Sequence, residues 1–355
     1  MRDITVIGAG IIGASIAWHL TVSGAKVRLV APLAGGVATP TSFAWINASW
    51  GNPEPYFRLR TRSMREWQRL AAEVPDLSVS WCGGLCWDLP RDDLLVYARD
   101  HAAWGYGIRT VTADEASRIE PGVRAGLLPD VAVHVAEEGA AEPVAATLAL
   151  IADARRRGAE IVDAEVTALR EKNGRIVGSK TSAGDIDCDS VVLAAGAGTA
   201  VLAASVGITV PVETPPGLIV HSKPVAKRLN GLVLATELHV RQTAEGRIIA
   251  GSDFGGTDPG VDPEGAARDL FDKVKAFLND GDQLEIDFHT VGYRPTPKDG
   301  FPVVGGVPGL EGLYLAVTHS GITLAPAIGR FAADEILAGK DEPLLAPYRL
   351  SRFSV

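Results

Sequence analysis

Residues 4–13, ITVIGAGIIG, decide the fold. The unbroken run ITVI predicts a strand buried on both faces, as in the middle of a parallel sheet. A G-x-G-x-x-G pattern follows at Gly8, Gly10 and Gly13. Gly8 permits the tight turn, Gly10 lets backbone approach a pyrophosphate, and Gly13 allows a helix to pack closely on the strand. Ile12, Ile16 and Leu20 then recur at a spacing of four, and Gly24 ends the helix before KVRLV at 26–30. Strand, glycine turn, helix and strand make a dinucleotide-binding unit, with the helix N-terminus aimed at the phosphates.

The end of KVRLV bears on which dinucleotide. An Asp or Glu there would hold the adenosine ribose, and NAD wants that acid. Here Ala31 and Pro32 stand instead. NADP would want a nearby Arg for its 2′-phosphate, yet no Lys or Arg follows until Arg58. FAD remains, because its grip is spread over far more of a protein.

A chain of 355 residues has room for one large domain or two modest ones. A net charge of −9 without any basic run argues against a nucleic-acid surface. Three cysteines leave an odd one over, so a disulfide framework is not expected. Cys82 and Cys86, in WCGGLCW, have no further Cys or His nearby in sequence to complete a metal site, and packing is their expected role. The run Ile4–Ala25 carries no Asp, Glu, Lys or Arg over 22 residues, long enough to cross a bilayer. GAGIIG, His19 and Gly24 interrupt it, so it reads as a strand and helix, and a soluble, cytoplasmic protein is expected.

Helical texture spans 56–72, and short strands and turns cover 77–136. A helix follows at 142–158, then three strand-like pieces with turns at Asn173-Gly174 and Ala183-Gly184. Residues 188–207 read as strand, glycine turn and short helix. Residues 212–254 read as antiparallel strands with LHVRQTAEGRIIAG as a hairpin, and a helix runs from Pro263 to Leu278. Nucleotide-fold texture thus returns in three blocks, with two β-rich blocks between them.

Three later stretches, SVVLAAGAG (190–198), GYRPTPKDGFPVVG (292–305) and YLAVTHSGITLAPAIG (314–329), join the opening turn. Together they resemble the D-amino acid oxidase family of FAD-dependent amine oxidoreductases, the group of glycine oxidase and sarcosine oxidase. The resemblance covers the whole chain and is weakest across 80–135 and 212–290. It implies an α/β fold: a discontinuous Rossmann-like FAD-binding domain (1–78, 138–211 and 291–355) with an interposed antiparallel β-rich substrate domain (79–137 and 212–290).

The resemblance also implies a site. Gly8, Gly10, Ile12 and Gly13 would face the pyrophosphate of a noncovalently bound FAD. Thr41 and Ser42 would serve the phosphates and the flavin edge, Val166 would lie beside the adenine, and Ala195 and Gly196 would border the cofactor. Gly321, Ile322 and Thr323 would aim backbone N–H groups at the flavin N1–C2=O edge, where negative charge grows on reduction. Arg294 matches the family's arginine for a substrate carboxylate, a task that suits its planar fork. His239 falls where glycine oxidase has an active-site tyrosine, Arg241 shares its strand face, and His319 matches the histidine near the flavin.

Two departures stand out. Ala31 removes the ribose carboxylate, leaving Thr39 or a backbone group to substitute. THSG is shorter than the family's segment, so glycine oxidase's extra substrate arginine has no counterpart. The implied reaction is oxidation of the C–N bond of a small amino acid, by hydride transfer to flavin and imine hydrolysis. His239 and Arg241 would suit a second carboxylate, as in a secondary amine of the iminodiacetate or opine type. Two alternatives stay open. One is a flavoprotein subunit that passes electrons to a partner instead of oxygen; the other is a flavin-free binding protein on the same fold.

Overall fold

The computed structural model describes residues 1–49, 51–252 and 257–353. Residues 253 and 254, at the end of the expected 212–254 strand block, lie outside the described residues. The opening unit forms as the sequence dictates: strand Asp3–Ile7, helix Ile11–Val22 and strand Lys26–Val30. The long uncharged run is therefore a five-residue strand and a twelve-residue helix. Among the described residues no helix is long and apolar enough to cross a membrane.

Among the described residues a nine-stranded sheet has a parallel core. Its order is Glu160–Val162, Lys26–Val30, Asp3–Ile7, Ser190–Leu193 and Leu310–Val317. The antiparallel pair Val166–Lys172 and Arg175–Thr181 extends one edge. Its turn is Asn173-Gly174, with φ of 54° and 76°, the left-handed pair a tight hairpin needs. Ile4 and Val6 are buried on one face of their strand and Ile7 on the other, as are Val192 and Val191 on theirs, so these two core strands are covered on both faces. Strand order reverses between Asp3–Ile7 and Ser190–Leu193, and a crevice opens beyond their carboxyl ends, as the topology requires. The helix Gly321–Ala338 packs against Ile11–Val22 there.

Among the described residues an eight-stranded sheet takes its strands from two separated stretches of chain: Gly84–Trp87, Ile108–Thr112 and Val131–Val135, then five strands between Pro216 and Tyr293. It is antiparallel except where Leu232–Ala235 runs parallel to Gly84–Trp87, a pair the antiparallel expectation does not contain. The expected strands and turns of 77–136 also include two helices, Arg91–Ala103 and Ala113–Ile119. The first has Pro90 as its N-cap and Asp92 and Asp93 in its first turn, and it buries Leu94, Tyr97, Ala98 and His101. That spacing of three and four is an amphipathic helix.

Candidate active site

A cavity of about 990 Å³ lies in the crevice at the point of strand reversal and extends to the eight-stranded sheet. Its floor is the glycine turn. A Cβ on Gly8 would lie 2.4 Å from the Ala194 carbonyl oxygen, so only glycine lets the two strand ends meet. Gly8, Gly10 and Ile12 line the cavity. Gly13 does not: a Cβ there would lie 1.8 Å from the Gly8 carbonyl oxygen, so its part is to let the helix close on the turn. Thr39 Oγ1 accepts from the Ile11 N–H at 3.2 Å and so stiffens the start of the helix.

Two helix N-termini face this one cavity, Ile11–Val22 behind Gly10 and Gly321–Ala338 behind Ser320. Neither N-cap residue accepts from its own helix through a side chain. Gly321, Ile322 and Thr323 line the cavity, as do Thr41, Ser42, Val166, Ala195 and Gly196. Apart from the Ile11 N–H, which Thr39 takes, first-turn N–H groups without an N-cap side chain are donors in want of an acceptor. Two such ends in one long crevice fit a pyrophosphate at one and an electron-accepting ring carbonyl at the other. FAD fits the donor set, and these residues would hold it.

The closing motif places Arg294. In GYRP, a Cβ on Gly292 would lie 2.2 Å from Thr41 Oγ1, so glycine is needed for the strand Ile286–Tyr293 to pass the 41–42 loop. Arg294 emerges two residues on, in the cavity wall. His319 lies in the wall too, and burial, Arg60 and Arg294 push its pKa down to about 3. It is neutral at ordinary pH. Its Nδ1 is buried and finds no hydrogen-bond partner among the described residues.

His239 lines the wall at 4% exposure, with Nε2 3.0 Å from Asp88 Oδ2. Arg241 departs from expectation. It is 3% exposed and outside the cavity lining. Its guanidinium donates to the Phe43 carbonyl at 2.7 Å, the Ala141 carbonyl at 3.3 Å and Glu142 Oε1 at 3.2 Å. Two residues along an extended strand are a shift of about 7 Å, which carries Arg241 past the cavity to the junction of two loops. It ties the segment at Phe43 to the end of strand Gly139–Ala141 and to Glu142.

Several wall residues carry no motif. Arg60 is 5% exposed and lines the cavity. Its guanidinium grips the Asn47 carbonyl and Oδ1 at 3.0 and 2.6 Å and Ser320 Oγ at 2.8 Å, with its carbon 5.2 Å from the Tyr56 ring centre. A fixed cation thus sits beside the second helix N-terminus. A sequence signal existed: Tyr56, Arg60, Ser63, Met64 and Trp67 share the buried face of helix Glu54–Glu73.

Behind the 45–49 loop stands Glu138, 1% exposed. It accepts short hydrogen bonds from Ser49 and Tyr106 and one of 2.9 Å from Trp45 Nε1. Burial pushes its carboxyl up to about 7 against the pull of those donors. Trp45, Asn47 and Ser49 all line the cavity, so Glu138 braces one of its walls. Nothing local in sequence marks Glu138, because its partners come from distant segments.

Comparisons with known proteins bear on the family. The family described as "DAO: FAD dependent oxidoreductase" matches residues 3–335. A glycine oxidase of Pseudomonas aeruginosa is 30% identical, over 97% of this chain and 96% of that protein. An opine oxidase subunit of Agrobacterium tumefaciens is 27% identical, over 99% and 97%. Among solved structures, an iminodiacetate oxidase from Chelativorans sp. BNC1 superposes with a TM-score of 0.84 at 25% identity, over 98% of each chain.

Proposed function

The chain belongs to the DAO family of FAD-dependent oxidoreductases and is an amine- or amino-acid-oxidising flavoenzyme; on that premise we propose that it oxidises the C–N bond of a small amino acid whose carboxylate is held by Arg294. One observation carries this reading. A single cavity joins two uncapped helix N-termini to a wall bearing Arg294 and His239. Within it, the strands of the nine-stranded sheet and their helices form the cofactor domain (1–78, 138–211 and 291–355). The eight-stranded sheet forms the substrate domain (79–137 and 212–290), with its strand Ile286–Tyr293 running three residues past that bound.

When bound, FAD supplies the two-electron acceptor for the substrate's α-C–H. The protein's own residues orient and bias. Arg294 fixes the carboxylate by a two-point hydrogen bond. First-turn N–H groups of Gly321, Ile322 and Thr323 stabilise charge on the ring edge, and Arg60 keeps the Ser320 end of that helix in place. Neutral His319 adds no competing charge. Water then hydrolyses the imine to a 2-oxo acid and an amine.

A second reading concerns the electron acceptor, and the opine oxidase subunit among the relatives supports it. In it, electrons leave to a partner protein instead of oxygen. The test is anaerobic mixing of the yellow protein with glycine, sarcosine, proline and iminodiacetate, followed by air. Bleaching by an amino acid supports the amine reading. Peroxide on re-aeration supports oxygen as acceptor, and slow recolouring that an artificial acceptor accelerates supports a partner. No bleaching by any amine sinks the proposal.

A further inference from the structure

Two arginines are deeply buried among the described residues, Arg241 and Arg60. Arg241 makes an ion pair with Glu142. Among the described residues Arg60 makes none. The hydrogen bonds of its guanidinium go to neutral acceptors: the Asn47 carbonyl and Oδ1, Ser320 Oγ, and the Tyr56 hydroxyl at 3.4 Å. Glu138, the buried carboxylate behind the 45–49 loop, has its oxygens on Ser49, Tyr106 and Trp45 instead. Asn47, Ser320 and Tyr56 all line the cavity, so the charged head is held between wall residues.

A positive charge buried without a counter-ion costs several kcal/mol. Hydrogen bonds to neutral groups lessen that cost and leave the charge itself unbalanced. The charge is felt in the cavity wall: after burial, Arg60 is the next influence that pushes down the His319 pKa. On the reading above, the glycine turn takes the pyrophosphate and Arg294 takes the substrate carboxylate. Arg60 stands with the second helix N-terminus. Its Nη1 donates to Ser320 Oγ at 2.8 Å, and Ser320 is the N-cap of helix Gly321–Ala338. A flavin ring edge at that helix is neutral until the cofactor is reduced.

We propose that Arg60 is the counter-charge of the reduced cofactor. This rests on the flavin reading above and on no particular substrate. Oxidation of a neutral amine breaks the α-C–H bond, and the electron pair leaves with the hydrogen as hydride. Two electrons and one proton thus pass to the flavin, leaving an iminium on the substrate and one net negative charge on the ring. Arg60 balances that charge without a second proton. A helix N-terminus carries about half a unit of positive charge, and its N–H groups supply hydrogen bonds at the same place. Arg60 adds a full unit beside them.

The fold fixes Arg60 against that helix before any charge develops. Arg60 stands on the buried face of helix Glu54–Glu73, which packs along Gly321–Ala338. Trp67 Nε1 donates to the Ile322 carbonyl at 2.9 Å, and Ser63 Oγ accepts from the Ala327 N–H at 3.2 Å. These two bonds set the register of one helix on the other. Asn47 then holds the guanidinium from the cavity side, and its own N–H donates to Thr323 Oγ1 at 3.4 Å, in the first turn of the same helix. A charge held this way needs no reorganisation when the ring becomes negative.

The test is the reduction potential of the bound flavin, read anaerobically by equilibration with a reference dye, in wild type, Arg60→Gln and Arg60→Lys loaded with excess FAD. Fluorescence titration of each apoprotein gives the affinity for oxidised FAD alongside. Arg60→Gln should favour reduced over oxidised cofactor about 10- to 100-fold less, the scale of one charge pair several ångströms apart at the effective dielectric of a protein. For a two-electron couple that is a potential about 30 to 60 mV more negative. Arg60→Lys keeps the charge without the fork and should stay near the wild-type potential. Equal falls in both variants would make the hydrogen bonds responsible instead of the charge, and would overturn the proposal. An unchanged potential in Arg60→Gln overturns it too, with or without weaker FAD binding, and assigns Arg60 to the wall alone. So does failure of Arg60→Gln to hold flavin at excess FAD, since the oxidised cofactor needs no counter-charge there. None of these readings uses an amine: if no amino acid bleaches the wild type, the amine reading falls and the potentials still decide this proposal.

Discussion

The Ala31 N–H donates to the Val162 carbonyl at 3.1 Å, holding the end of strand Lys26–Val30 against the end of Glu160–Val162. At this rim of the cavity the family's ribose carboxylate is missing. Thr39 lines this cavity, and its hydroxyl, while accepting from the Ile11 N–H on the glycine turn, still has its own proton to donate. Glu165, three residues beyond Val162, is a carboxylate that lines the same cavity. Ala31→Glu should tighten FAD by about 1–2 kcal/mol, the scale of a charge-assisted hydrogen bond. Fluorescence titration of apoprotein measures it. An unchanged constant, together with weaker binding in Glu165→Gln, would assign the ribose to Glu165 instead.

FAD should be bound without a covalent link. Acid precipitation should release all the yellow colour into the supernatant, and colour retained in the pellet would contradict it.

Arg294→Lys keeps the positive charge and loses the planar fork. KM for the amino acid should rise about 10- to 100-fold, matching a lost charge-assisted pair, while flavin content stays at the wild-type level. A KM that barely moves would make Arg294 structural.

Glu138 predicts a pH dependence of stability. Its folded pKa is pushed up from 4.5 to about 7. Between those values the folded chain keeps a proton that the unfolded chain releases. Stability should therefore be undiminished by this group below about pH 4.5, fall as pH rises through about 7, and level off above it. The full loss is about 3 kcal/mol. Glu138→Gln carries no titrating proton there, so urea unfolding at pH 5 and pH 8 should show a smaller difference than wild type. Equal differences in the two proteins would refute the assignment.

How far the sequence carries depends on how local each signal is. The glycine turn, the two switch-point strands and the last helix were legible because packing there forbids a side chain or demands an apolar run. Gly8 against Ala194 is the clearest case. Helix Arg91–Ala103 carries its cap and spacing in the sequence, but the turn-rich neighbourhood outweighs them. The parallel pairing of Gly84–Trp87 with Leu232–Ala235 joins residues about 150 apart, and no local pattern encodes it. Asp88 and Glu138 were invisible for that reason: each acts through partners brought by other strands. Arg241 failed differently. Its strand face follows from alternation, but a face does not say how far along the strand the cavity extends.

That failure bears on the substrate. A second carboxylate in the cavity needs a cationic partner, or it remains in water at a cost of several kcal/mol to binding. Arg241 cannot serve, tied as it is to Phe43, Ala141 and Glu142. Arg60 grips Asn47 and Ser320. His239 has Asp88 at its back, whose charge opposes another carboxylate nearby. On these pairings we predict that an amino acid with one carboxylate suits this wall better than the iminodiacetate or opine type; glycine oxidase, an opine oxidase subunit and iminodiacetate oxidase all occur among the relatives. Sarcosine should bleach the flavin with the higher rate-to-affinity ratio, and iminodiacetate with the lower. Arg241→Met should impair thermal stability and both substrates alike, because it loosens the 43–44 and 141–142 loops. The decisive comparison is His239→Gln with sarcosine and with iminodiacetate. If that variant loses iminodiacetate selectively while keeping sarcosine, His239 is an anion receptor and the dicarboxylate is the better substrate class.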